Sequence, residues 1–148
     1  MYTTALIVHS WIRWVALIAA IGAAFAALRK QDGAAERWGL IAMTTLDLQM
    51  LLGLLLYLAL SPNTAAIMNN FAGAMKDPTA RFWAVEHVAS MFLAVIIAHV
   101  GRVLARKATS PEAKRKRTLI CFAIAALFMI IGMPWPGRPG GRPLLRIS

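Results

Sequence analysis

Cysteine is almost missing from this chain: Cys121 is the only one. A single thiol excludes an internal disulfide, a thiolate zinc site and a cysteine-held iron–sulfur cluster. Cys121 itself reads as a small core residue near a helix end. Acidic residues are also scarce, six Asp and Glu against sixteen Lys and Arg, and charged residues together make up only 15% of the sequence. That is far from the balance of a soluble domain. No serine stands with an imidazole and an orienting carboxylate in a hydrolytic arrangement, and no filter-like motif or ring of charges suggests a channel. There is no internal repeat.

What is present is apolar: 59% of residues are hydrophobic and the mean hydropathy is +0.64. A membrane span takes about 20 apolar residues, since the hydrocarbon core is roughly 30 Å thick and a helix rises about 1.5 Å per residue. Four stretches meet or approach that length, at roughly 3–28, 38–60, 82–105 and 118–135, the last being the shortest and ending at Pro134 and Pro136. The expected fold is therefore all-α: a four-helix transmembrane bundle, up-down-up-down, forming a single integral membrane domain over 1–148. The first stretch has no basic residue before Arg13 and runs past the length of a signal core, so it reads as a retained helix.

The basic residues are distributed unevenly. Segments 29–37 and 102–117 hold ten of them, including the run Lys114, Arg115, Lys116 and Arg117, against five at Lys76, Arg81, Arg138, Arg142 and Arg146 on the other side. The positive-inside rule puts the ten in the cytoplasm and turns both termini and the 61–81 loop outward. The net charge of +10 then reports topology and contact with anionic lipid headgroups, and no nucleic-acid partner is expected.

Asp32-Gly33 marks a turn between the first two helices. In the outward loop Ser61-Pro62-Asn63-Thr64 is a helix start. Met68, Phe71, Ala72 and Met75 then follow at helical spacing until Asp77-Pro78, which predicts one short amphipathic helix on the outer surface. The tail 136–148, together with Met133 to Trp135, is too rich in proline and glycine to be helical and should lie across the outer face.

Polar groups inside a span need a partner or a task. A depth count puts Arg13 and Asp47 halfway through the bilayer, where they are expected to pair as a clamp between the first two helices. Gln49 faces another side of its helix, toward another helix or a ligand. His9 and His87 lie at matching depth near the outer face, with Glu86, Arg81 and Trp83 beside His87 and Arg13 four residues after His9. Two imidazoles on facing helices, an apolar slot and nearby cations are what a buried haem b needs. His9 and His87 are the candidate axial ligands, and Arg81, Lys76 and Arg142 the candidate propionate partners. The same residues, with Gln49 and with Glu86 as a proton-accepting carboxylate, would equally suit a quinone. His99 lies about 18 Å from His87 along one helix, with no histidine at its level. That leaves no second bis-histidine pair and no three-histidine zinc site, and His99 is expected to face the interface. A cofactor-free alternative is an accessory subunit of a respiratory or photosynthetic complex, using Gly22, Ala23, Ala26 and Ala27 to pack against other membrane subunits or a second copy.

Several motifs occur together: His9-Ser10-Trp11-Ile12-Arg13-Trp14, Gln49-Met50-Leu51-Leu52-Gly53, Met75-Lys76-Asp77, Arg81-Phe82, Glu86-His87, Pro134-Trp135-Pro136 and Arg142-Pro143. With these the chain resembles, over almost its whole length, a family of small four-span bacterial inner-membrane proteins loosely labelled cytochrome b-like. The resemblance implies a haem-binding or electron-transport role and a single site built from these motif residues.

Overall fold

A computed structural model describes residues 1–146; Ile147 and Ser148, the last two residues of the tail, lie outside the described residues. The structure is all-helical, with no strand among the described residues. Four long helices dominate: α1 (Tyr2–Leu28), α2 (Asp32–Leu55), α6 (His87–Arg106) and α7 (Pro111–Gly132). Short helices α3 (Pro62–Asn69), α4 (Phe71–Ala74) and α5 (Pro78–Arg81) fill the loop between α2 and α6. Two π-helical turns, Leu56–Leu60 and Phe82–Glu86, extend α2 and lead into α6, giving continuous helical rods Asp32–Leu60 and Pro78–Arg106. These two rods and α1 are long and apolar enough to cross a membrane, with mean hydropathies of 1.7, 2.0 and 1.9 over their best windows. In α7 the basic run Lys114 to Arg117 occupies the start, so its apolar remainder, 118–132, falls short of the about 20 residues of a full crossing.

Local chemistry sets the helix starts. Ser61, Asp77 and Ser110 each precede a proline and cap the next helix by accepting a hydrogen bond from the backbone N–H three residues on, at Thr64, Ala80 and Ala113. The turn after α1 falls earlier than Asp32-Gly33. Lys30 adopts a left-handed conformation (φ 59°), and Asp32 and Gly33 already belong to α2, whose first turn gains from an acidic residue.

The loop departs from the expected single amphipathic helix. Asn70 breaks it (φ −144°, ψ 66°) and caps α4 through its side chain, and Asp77 caps α5 as well as following the end of α4. The buried face is Thr64, Ile67 and Ala74, packed with Ala84, while Met68 and Phe71 are about half exposed. Helical spacing alone named a face that points away from the protein.

α1 packs along α2 and α7, and α6 along α7 and α2. Pairs run antiparallel: Gly22 meets Trp38 and His9 meets Gly53 between α1 and α2, while Gly101 meets Cys121 and Gly132 meets Ser90 and Met91 between α6 and α7. The core is alanine-rich, with Ala16, Ala19, Ala20 and Ala23 of α1 fully covered around Leu46, Phe122 and Met129. Small side chains let the helix backbones approach closely. Ala23, Ala26 and Ala27 are therefore consumed in packing within the chain, and Gly22 lies under the Trp38 ring, so none of them presents a free face to another subunit.

Candidate functional site

At the end of the structure opposite the basic loops, α1, α2, α6, α7 and the tail enclose a cavity of about 130 Å³. Both π-turns border it. A π-turn adds a residue to the helical circuit and frees backbone groups, and such turns recur at functional sites. Here the two are tied together, since Tyr57 Oη donates to the Ala84 carbonyl at 2.8 Å.

His9 and His87 face each other in the cavity wall with ring centroids 6.4 Å apart and planes at 71°. Each ring packs against a glycine-bearing stretch of a neighbouring helix. His87 Nδ1 is 2.7 Å from the Gly132 carbonyl, which can only accept, so this nitrogen carries the proton and Nε2 keeps its lone pair. His9 Cε1 lies over Gly53, where a Cβ would stand 3.3 Å away. Its Nδ1 is buried within electrostatic reach of the Gln49 carbonyl but makes no hydrogen bond of normal geometry. Phe82 and Trp83 complete the setting of His87, at 5.9 and 5.3 Å between centroids.

Arg13, Arg142 and Arg146 also line the cavity, while no carboxylate does so among the described residues, so the site favours an anionic group. Arg142 lies over the Trp83 ring, 4.2 Å from its centroid. Arg13 does not reach Asp47. Its Nη2 donates to the carbonyls of Pro143 and Leu144, and its Nε is buried without a partner. Asp47 is bonded instead to His99 on α6, Oδ1 to Nε2 at 2.7 Å. The depth count was sound, but Asp47 lies about 200° around α2 from Gln49 and cannot share its face. Gln49 is the residue that faces inward: it is buried in the cavity wall, and its Oε1 has no partner.

Three other candidates stand outside the wall. Glu86 forms an exposed ion pair with Arg81, Oε1 to Nε at 2.8 Å, and Lys76 is exposed. The sequence reading passed over Tyr57, Gly132 and the methionines Met50, Met91, Met129 and Met133 of the wall. A glycine inside an apolar helix was the one available signal for Gly132.

The tail closes the site as a strap. Trp11 Nε1 donates to the Arg146 carbonyl at 2.9 Å and Trp14 Nε1 to that of Leu144 at 3.0 Å, beside the Arg13 contacts. The strap also presses on Phe82 and Trp83 at Gly140, whose φ is +73° and whose missing Cβ would lie 2.5 Å from Phe82 Cδ1. Glycine is required there by conformation and by space.

No protein-family model, curated protein or solved structure matches this chain. Among the described residues no group of three or more His, Cys, Asp or Glu is placed to hold a metal ion.

The centroid separation of 6.4 Å with planes at 71° is that of an edge-to-face ring contact and is also compatible with two imidazoles sharing one metal, since bonds of about 2.0 Å and about 1.2 Å from nitrogen to ring centre, on each side of the metal, sum to about 6.4 Å.

Proposed function

We propose that this chain is a four-helix transmembrane bundle of a bacterial inner membrane, up-down-up-down with both termini outward. Its α7, whose apolar part is shorter than that of the other three, is the fourth span, and the protein holds one b-type haem near its outer face. On this reading it is a cytochrome b-like electron-transfer protein or a subunit of a larger redox complex, as the family resemblance implies. The observation that carries the proposal is the His9–His87 separation of 6.4 Å.

The haem supplies one-electron transfer when bound. The rest is the work of this chain's own groups. The Gly132 carbonyl would hold the proton of His87 on Nδ1 and so leave Nε2 for the metal. Arg13 and Arg142 are two of the cavity's cations and would meet the two propionates, in place of Arg81 and Lys76, which lie outside the wall. The wall is largely apolar and the strap covers one side of it.

A reduced-minus-oxidised optical spectrum of the purified protein tests this. A haem absorption that vanishes in His9→Ala and in His87→Ala is expected; a colourless wild-type protein from haem-replete cells overturns the proposal.

Arg13 Nε, a donor for a quinone carbonyl, and Gln49 Oε1, an acceptor for the hydroxyl of the reduced form, favour one second reading, a quinone headgroup in the same cavity. Extractable quinone whose binding survives replacement of both histidines would select it.

A further inference from the structure

Asp47 and His99 form an acid–base pair on the outside of the molecule, across the seam between α2 and α6, with side chains 43% and 45% exposed. Neither lines the cavity. Both sit within the apolar rods: Asp47 is two helical turns, roughly 12 Å, beyond Gly39, at whose level Arg102 lies. An ionisable pair open to hydrocarbon is costly, and such pairs face protein or water.

The pair leaves one donor and one acceptor unused. His99 is bonded through Nε2 and Asp47 through Oδ1, and no described contact engages His99 Nδ1 or Asp47 Oδ2. When the ring carries a proton on Nδ1, that N–H is a free donor and the second carboxyl oxygen a free acceptor.

The surface around the pair has the spacing of a helix–helix seam. On α2, Leu40, Thr44, Asp47 and Leu51 fall at steps of four, three and four; Leu40 and Leu51 are 47% and 67% exposed. On α6, Phe92, Ile96, His99 and Val103 fall at the same steps, and the three apolar members are 41–53% exposed. Two stripes at heptad spacing, that of α2 carrying Thr44 and Asp47 among its leucines and that of α6 carrying His99 at the level of Asp47, match helices that pack side by side with a polar contact fixing the register.

We infer that this α2/α6 face docks a second copy of the same chain, joined by reciprocal hydrogen bonds between His99 of each copy and Asp47 of the other. Self-complementarity selects the occupant. Two copies in one membrane with one orientation are related by a two-fold axis along the bilayer normal, which brings together residues of equal depth. Asp47 and His99 are at equal depth because they touch, so the axis sets each donor against the other copy's acceptor. A different partner would need its own donor and acceptor at this level, whereas a second copy supplies both.

The test is the mass of the full-length protein in lipid nanodiscs and in mild detergent, and it does not depend on any cofactor. A dimer is expected. His99→Ala and Asp47→Ala should each weaken it roughly ten-fold in dissociation constant, and the exchange variant Asp47→His with His99→Asp should restore it. As a check independent of those variants' folding, Leu51→Cys in a Cys121→Ala background should give an oxidative cross-link between copies, and Ile18→Cys on the exposed face of α1 should not. A monomeric wild-type protein overturns the inference. So does a dimer that the substitutions leave unchanged, a cross-link from position 18 in place of 51, or a stoichiometric complex with a different membrane subunit cross-linked at position 51.

Discussion

Tyr57 and Ala84 are joined by a hydrogen bond, hydroxyl to carbonyl at 2.8 Å, that links the π-turn at the end of α2 to the π-turn ahead of α6. Two irregular turns at one level, one on each side of the cavity, are thereby held in one arrangement. Removing the hydroxyl leaves a partly buried carbonyl without its donor, a loss of about 1 kcal/mol. Tyr57→Phe should therefore lower the thermal unfolding midpoint in detergent by a few degrees, while Tyr2→Phe, which breaks no described side-chain hydrogen bond, should leave it in place.

Gly132 keeps α7 close to α6. A Cβ there would stand 2.7 Å from Ser90 Cβ, a contact that rotation of a flexible side chain does not relieve. Gly132→Ala should destabilise the protein by about 1–3 kcal/mol, as overpacked interiors do. Adding Ser90→Gly, which removes the opposing atom, should recover most of the unfolding midpoint; a double variant no better than the single one would contradict this account of the clash.

Gly140 sets the strap. With alanine there the backbone is strained and the side chain meets Phe82 and Trp83, so the tail should detach. Limited trypsin digestion reads this as cleavage after Arg146, since Arg142 is followed by a proline that blocks the enzyme. Gly140→Ala should speed that cleavage about ten-fold through a larger open population, and Gly137→Ala, which carries the same backbone strain (φ +83°) but meets nothing within 4 Å, should do so less.

At the basic end, Arg115 grips Asp32 with two hydrogen bonds, Nε to Oδ1 at 2.6 Å and Nη2 to Oδ2 at 2.7 Å. The bond to Arg115 holds the Asp32 carboxyl below its ordinary value, and Lys114 does the same for Glu36. A carboxyl depressed in the folded state contributes stability above its unfolded value, near about 4, and loses it as the pH falls through the folded one. Wild-type protein should thus be more stable than Asp32→Asn at pH 7. The gap between their melting midpoints should close as the pH falls below about 4, and an unchanged gap at pH 3 would count against the pair.

Three of the four expected spans were legible as long apolar helices, because hydropathy and length suffice to find them. Orientation around each helix was not, since every face is apolar and periodicity has nothing to contrast. Asp47 shows the consequence: it falls within a long apolar helix as expected, but its partner is His99 on α6 and not Arg13 on α1. His9 and His87 were found by depth alone and do face each other. Arg81, Lys76 and Glu86 were grouped with them by proximity in sequence, yet the ion pair of Arg81 with Glu86 turns both away from the cavity. The loop failed differently. Ser61 and Asp77 carry their capping chemistry openly, whereas the break at Asn70 depends on a side chain that caps as readily as it continues a helix.

Trp11, Arg13 and Trp14 all grasp the strap by its main-chain oxygens. A latch of that kind grips the main chain, so the exposed side chains of Leu144 and Leu145 can vary without releasing it. The length of the segment is not free: one residue inserted or deleted between Gly140 and Leu144 moves every carbonyl off its donor at once. Selection on this tail therefore acts on count before kind.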